Sequence, residues 1–320
     1  MSMATENHQP ANHSSSLRRL VSRHPMAAYL VMAFAISWTA ILPVLLSESG
    51  PFGILPIELP AETFNTLASI LGLALPVFLV TAAKDGEEGV RDLLRRIFRW
   101  RVGVRWYLFA LFGLFVVSLL GAIPFAGVAP LEALTQNWSL LITVYLPGIL
   151  VPFVLINLWE ETAWTGFVQH TLQERHGPLL ASVVVAPLFA LIHLPAFFVA
   201  GWINEEPTPL SHFPSVLVWV GFMAVFAVFL RVLIMWFYNR TGRSILLVGL
   251  FHSSFNMVSR QELMPEYVSG LDSGLLAIAV VAVLAVVVVV FTWGRLGYKP
   301  ERAALRPAEG VGVATQPRVQ

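Results

Sequence analysis

The stretch Trp159-Glu160-Glu161-Thr162-Ala163-Trp164-Thr165-Gly166-Phe167 sets two adjacent carboxylates inside an apolar run that begins near Leu140. No residue close by in sequence is placed to neutralise both. A soluble helix would carry such a pair on its wet face, but these surroundings are too apolar for that. At membrane depth an ionisable group is expensive, faces the interior of a bundle, and marks a site.

Composition supports the membrane setting. Of 320 residues, 57% are hydrophobic and only 12% charged, against about 25% charged in a typical soluble domain. The net charge of +1 gives no general attraction to nucleic acid, so lipid is the expected surrounding partner. Cysteine is absent, which excludes disulfides, a thiol nucleophile and thiolate metal sites.

Eight segments are apolar enough to read as spans: Ala27–Leu46, Phe64–Ala83, Trp106–Ala126, Ile149–Gln173, Leu179–Ala200, Ser215–Tyr238, Ser244–Val258 and Ser273–Trp293. Lipid offers no partner to an unpaired backbone group, so these spans should be helical. The expected fold class is all-α, a polytopic membrane protein with about eight transmembrane helices. Residues 1–24 read as a polar tail, 25–298 as the membrane domain with a core at about 84–257, and 299–320 as a disordered tail. The first apolar run lacks a small-residue cleavage site and reads as a retained span. Pro147 and Pro152 suggest a kink or a separate interfacial helix before the fourth span.

Charge sets the expected orientation. Lys84, Arg91, Arg95, Arg96, Arg99, Arg101 and Arg105 crowd the link between the second and third spans. With that link cytoplasmic, Arg18, Arg19, Arg23, Arg175, Arg240, Arg243, Arg295 and Lys299 share its side. The opposite connections carry Glu48, Glu58, Glu62, Glu132, Glu205, Glu206, Glu262 and Glu266, with Arg260 their one basic residue. Both termini are therefore expected in the cytoplasm. Val90, Leu93, Leu94, Ile97 and Phe98 alternate with arginines at helical spacing, which describes an amphipathic helix in the headgroup layer.

Depth selects the chemistry. At about 1.5 Å per residue, Glu160 lies about 20 Å from the basic rim, His193 about 21 Å and His252 about 18 Å. Polar residues scattered at random would rarely share a level. Neighbouring glutamates point about 100° apart on a helix, so one can hold a water while the other orients a partner. Glu160 reads as the general base, paired with His193, whose face also carries Phe189 at i,i+4. Pro187 and Pro195 should bend that span. His252 and Asn256, also at i,i+4, can donate to a developing oxyanion, or can act as packing polar groups. Arg231 reads as a residue that snorkels to the basic rim. Gly166, Gly221 and Gly249 read as close-approach positions. The candidate site is thus Glu160, Glu161, His193, His252 and Asn256, expected to open toward the cytoplasmic leaflet. No His-Glu-x-x-His spacing occurs, so no metal or other cofactor is expected, with zinc the alternative.

These blocks resemble the CAAX-prenyl-protease and bacteriocin-processing family, which includes the eukaryotic type II CAAX endopeptidase and many bacterial relatives. The family has a Glu-Glu-x-x-x-Arg block, a Phe-x-x-x-His block and a His-x-x-x-Asn block. Here Glu160-Glu161, Phe189 to His193 and His252 to Asn256 stand in that order, within a resemblance over about Lys84–Met257. Tyr238-Asn239-Arg240-Thr241-Gly242-Arg243-Ser244 is also similar to the family. The resemblance implies a bacterial plasma-membrane endopeptidase acting on a membrane-associated protein or peptide. It implies that Glu160 and His193 activate water, that His252 and Asn256 hold the oxyanion, and that no metal takes part. The alternatives are a non-proteolytic binding or bacteriocin-immunity scaffold and a zinc-dependent version of the protease. One position departs: Thr165 stands where the family often has arginine, so that cation's pairing is expected to be missing.

The charge pattern makes a direct prediction. Reporter tags after Ser22, within 84–105 and after Pro300 should all report the cytoplasm, and a tag at Glu205 the opposite side. Opposite locations for the first and last tags would refute an even number of spans.

Overall fold

The computed structural model describes residues 13–48, 50–199, 206–260 and 271–300. Residues 1–12 of the tail expected over 1–24 and 301–320 of the tail expected over 299–320, and Ala200, Glu205, Glu262 and Glu266, lie outside the described residues. Ten helices make up the described fold: α1 (His13–Arg23), α2 (Pro25–Leu46), α3 (Ala61–Ile97), α4 (Val104–Ala126), α5 (Ala129–Gln136), α6 (Leu141–His176), α7 (Pro178–Ile192), α8 (Phe213–Arg240), α9 (Ile245–Ser259) and α10 (Ser273–Thr292). No strand occurs among the described residues.

Among the described residues six helices, α2, α3, α4, α6, α8 and α10, are long and apolar enough to cross a membrane. Their outer faces expose Val31, Leu79, Leu120, Phe125, Val218 and Phe291, while Glu161, Arg231 and His252 are buried. Apolar outside and ionisable inside is the arrangement of an all-α polytopic membrane protein. The other two expected spans correspond to α7 and α9, each of 15 residues. At about 22 Å they fall short of a hydrocarbon core of about 30 Å, so the described residues contain six full-length spans.

The span expected to run to Ala200 stops at Ile192. Pro195 disfavours helical backbone in the residue before it, and a 3₁₀ turn follows over Leu194–Phe198. The Trp38 indole N–H donates to the Ile192 carbonyl at 3.1 Å, satisfying one of the open carbonyls at the helix end. Pro195 thus lies beyond the helix instead of bending it; Pro187 lies inside α7.

The fourth span is longer than expected. The stretch that carries Pro147 and Pro152 is not a separate helix: α6 runs unbroken from Leu141 to His176. Its prolines are absorbed by wide π-helical turns at Leu141–Tyr145 and Phe153–Asn157, and a third follows at Trp164–Gln169. Such turns re-aim side chains and recur at functional sites. The last two flank Leu158–Ala163, the α-helical piece that carries both glutamates.

Within α3 the backbone breaks at Gly86, whose φ of 66° suits glycine. Beyond it the basic stretch is helical and amphipathic: Leu93 and Ile97 are buried, while Arg91 and Arg95 are exposed. Arg96 turns inward to donate to the Gly166 carbonyl at 2.8 Å and the Tyr238 hydroxyl at 3.0 Å. The basic helix is therefore tied to α6 and α8.

Close approach is confined to two of the three glycines expected to provide it. A Cβ at Gly249 would stand 3.1 Å from the Phe153 ring and 3.2 Å from the Leu158 Cα, so α9 lies directly on the carboxylate-bearing helix. One at Gly166 would meet Ile245 at 2.6 Å. At Gly221 it would meet nothing within 4 Å, so that position faces open space. Aromatic stacking joins α9 to α4, with the Phe109 and Phe251 rings 5.8 Å apart and nearly parallel.

Candidate active site

Glu160 and Glu161 diverge as neighbours on a helix must. Glu160 faces a cavity of about 400 Å³, together with His193, His252 and Asn256. Glu161 faces away from it and is fully buried between helices. Four of the five expected residues therefore share one wall, and the fifth stands behind it.

Each carboxylate has its own partners. The Glu160 Oε2 accepts from the Asn157 amide at 3.1 Å, one turn earlier on α6. Its Oε1 lies 3.6 Å from the His193 Nε2, and its Oε2 lies 3.8 Å from the His252 Nδ1. Glu161 accepts from the His252 Nδ1 at 2.7 Å through Oε1. Its Oε2 accepts from the Arg231 Nη1 at 3.0 Å and from the Thr165 hydroxyl. Donors around a carboxylate favour its charged form against the cost of burial.

The histidine tautomers follow from these contacts. His193 caps the end of α7, and its Nδ1 lies 2.7 Å from the Phe189 carbonyl, which can only accept. Nδ1 therefore carries the proton, and in the neutral ring Nε2 presents a lone pair toward Glu160. His252 likewise donates through Nδ1 to Glu161. It can donate through Nε2 as well only when the ring is doubly protonated.

Two sequence expectations are corrected here. Arg231 does not snorkel: it is fully buried, and its guanidinium lies 4.2 Å from the Phe189 ring centroid. Nor is Glu161 left without a cation where Thr165 replaces arginine. Arg231, from α8, supplies the charge across the bundle, and Thr165 adds a hydroxyl to the same oxygen. One signal was available in the sequence. Arg231 lies nine residues before Arg240, about 14 Å along a helix, which is beyond the reach of an arginine stem.

A third correction concerns the mouth. The cavity extends from Glu160 to Glu62 and Arg260, at the starting end of α3 and the finishing end of α9. The Arg-rich stretch lies at the far end of α3, and its Arg99 carbonyl accepts from the Ser244 hydroxyl at the start of α9 at 2.7 Å. The site therefore opens away from the Arg-rich end, contrary to expectation. Met223, Phe226 and Leu230 of α8, with Phe255 and Met257 of α9, give it an apolar wall.

Among the described residues no group of three or more His, Cys, Asp or Glu side chains is placed to hold a metal ion. Glu161 is committed to Arg231 and His252.

The fold and this cluster define a polytopic membrane protein with a buried carboxylate–histidine site. Residues 137–258 match the family described as type II CAAX prenyl endopeptidase Rce1-like. That segment runs from the residue before Trp138 to the end of α9 and contains all five expected residues and Arg231. The chain is also 22% identical over 226 residues to CAAX prenyl protease 2 of Methanococcus maripaludis, covering 68% of this chain and 80% of the relative. Both matches support membership of the CAAX protease-like family.

The buried pair makes a stability prediction. Arg231→Met leaves Glu161 without its cation and should cost about 3–5 kcal/mol, read as a lowered unfolding midpoint in detergent. Glu161→Gln combined with Arg231→Met removes both charges and should recover most of that loss. Equal destabilisation by the single and double variants would show that the pair is not what holds α6 to α8.

Proposed function

We propose that this protein is an intramembrane endopeptidase in which Glu160 and His193 activate a water molecule and His252 and Asn256 hold the oxyanion. One observation carries the reading: a carboxylate, two imidazoles and an amide line a single cavity, with Glu160 3.6 Å from one histidine and 3.8 Å from the other. General-base catalysis needs a carboxylate held as an acceptor, and the Asn157 amide supports that state of Glu160.

The step balances as an ordinary hydrolysis. Water oxygen attacks the peptide carbonyl carbon while its proton passes to Glu160, assisted by the His193 Nε2. The carbonyl oxygen becomes an oxyanion that accepts from the Asn256 amide and from the Nε2–H of His252 in its doubly protonated form. Collapse breaks the C–N bond, and the proton held by Glu160 moves to the leaving nitrogen. The products are a carboxylic acid and an amine.

The apolar wall from α8 and α9 suits a substrate with a lipophilic portion, such as a membrane-associated protein or peptide. With the Arg-rich end and both termini in the cytoplasm, the mouth at Glu62 and Arg260 faces the other leaflet, so substrate reaches the site from that side or laterally from lipid. The name of the archaeal relative refers to prenyl substrates; for this chain the wall supports an apolar group of unspecified chemistry.

The test uses purified protein in proteoliposomes with a membrane-anchored peptide library. Glu160→Gln keeps the size and removes the base, and should lower turnover on the order of 1,000-fold at unchanged folded yield. Asn256→Ala should cost about 3 kcal/mol in the transition state, as for a lost oxyanion donor. Turnover by Glu160→Gln equal to that of the wild type would refute the mechanism and leave a binding scaffold as the better account.

A further inference from the structure

A buried side chain that reaches the supports of both histidines does not line the cavity. Arg231 is fully buried and absent from the cavity wall, as is Glu161. It nevertheless contacts both groups that hold the two histidines. On one side its Nη1 lies 3.0 Å from the Glu161 Oε2, and the other oxygen of Glu161 receives the His252 Nδ1 at 2.7 Å. On the other side its guanidinium lies over the Phe189 ring at 4.2 Å. The same ring meets His193 edge-on at 4.8 Å, and the Phe189 carbonyl receives the His193 Nδ1.

We propose that Arg231 is the positioning residue of the site, fixing His252 through Glu161 and His193 through Phe189. This deepens the hydrolytic reading above and rests on it for the kinetic part of its test. The physical reason lies in the donor and acceptor roles. With a cation on one oxygen, Glu161 remains an acceptor, so the His252 Nδ1 must carry a proton and Nε2 must face the cavity. Remove the cation and a carboxyl in this dry interior is better accommodated neutral. It would then donate to Nδ1, and the proton of the neutral ring would move to Nε2. Loss of Arg231 thus removes the anionic acceptor at Nδ1, and His252 can no longer donate through both ring nitrogens at once, which the oxyanion role requires. A flat, weakly hydrated guanidinium suits both tasks, since it can bond a carboxylate in its plane and stack through its face.

The surroundings are consistent with a dedicated role. Thr165 places its hydroxyl 3.5 Å from the Arg231 Nη1 and donates to the same Glu161 oxygen. The Arg231 carbonyl accepts from Gln169 at 3.1 Å and from Ser182 at 3.3 Å, pinning the backbone of α8 to α6 and α7 at this level.

Arg231→Met alone can lose folded protein, so the informative variant is Glu161→Gln with Arg231→Met, which leaves no buried charge unpaired. It is compared with wild type and Glu160→Gln in proteoliposomes, using the cleavable peptide for kinetics and ¹⁵N-histidine labelling for the ring nitrogens of His252. The proposal expects a folded double variant, kcat lowered on the order of 100-fold, as for loss of an orienting partner, and KM unchanged, since neither residue lines the cavity. The His252 ring signals should shift from a protonated Nδ1 toward a mixture or toward protonated Nε2. A folded double variant with wild-type kcat overturns the proposal, and so do unchanged His252 ring signals, whatever the kinetics. Should wild type and Glu160→Gln show the same background hydrolysis, the endopeptidase reading falls separately. The ring-nitrogen comparison then decides the role of Arg231 alone.

Discussion

The contact between Arg231 and Glu161 is the constraint on which the rest of the site depends. Two adjacent carboxylates in a low-dielectric interior repel each other and lose hydration, and neither can stay charged without donors. Arg231 at 3.0 Å answers that problem for Glu161, leaving its second oxygen for His252. Glu160 is then free to face the cavity with the lighter support of Asn157. A single cross-bundle ion pair therefore divides two identical side chains into different roles. It also joins α6 to α8, whose last turns meet the basic helix through Arg96 and Tyr238.

Helix length serves the same end. The two helices that bring the histidines, α7 and α9, are apolar but too short to cross the bilayer core alone. A short helix ends within the protein, and His193 occupies such an end, where the backbone leaves the helix and the ring turns toward Glu160. The longer α6 solves a different problem. Its π-helical turns on either side of Leu158–Ala163 alter the phase of the helix around the glutamates. Gly249 lets α9 lie close enough to α6 for His252 to reach Glu161.

Much of this was legible in the sequence, for identifiable reasons. Carboxylates in an apolar run, and histidines at a matching level, stand out because lipid penalises each of them. The level assigned to His252 was partly fortuitous, since counting from Arg240 crossed Thr241–Ser244, which is not helical. Arg231 was hidden because a lone arginine near one end of a long span has a bland explanation in snorkelling. Its partner lies 70 residues away in sequence, so no local pattern reveals the pair. The direction of the mouth was not encoded in charge at all. Positive residues report how the chain was inserted, whereas the opening depends on how far apart the helix ends stand. Gly221 shows the same limit: a glycine in a span can face open space as readily as a neighbouring helix.

The central claim is that this buried cluster hydrolyses peptide bonds in membrane-associated proteins. The most direct measurement compares the protein termini of membranes from cells making the wild type with those from cells making Glu160→Gln at equal level. The account predicts a set of new termini present only with the wild type, arising beside apolar or membrane-anchored segments. Identical terminus profiles, with the cellular effect of the protein retained in Glu160→Gln, would contradict it.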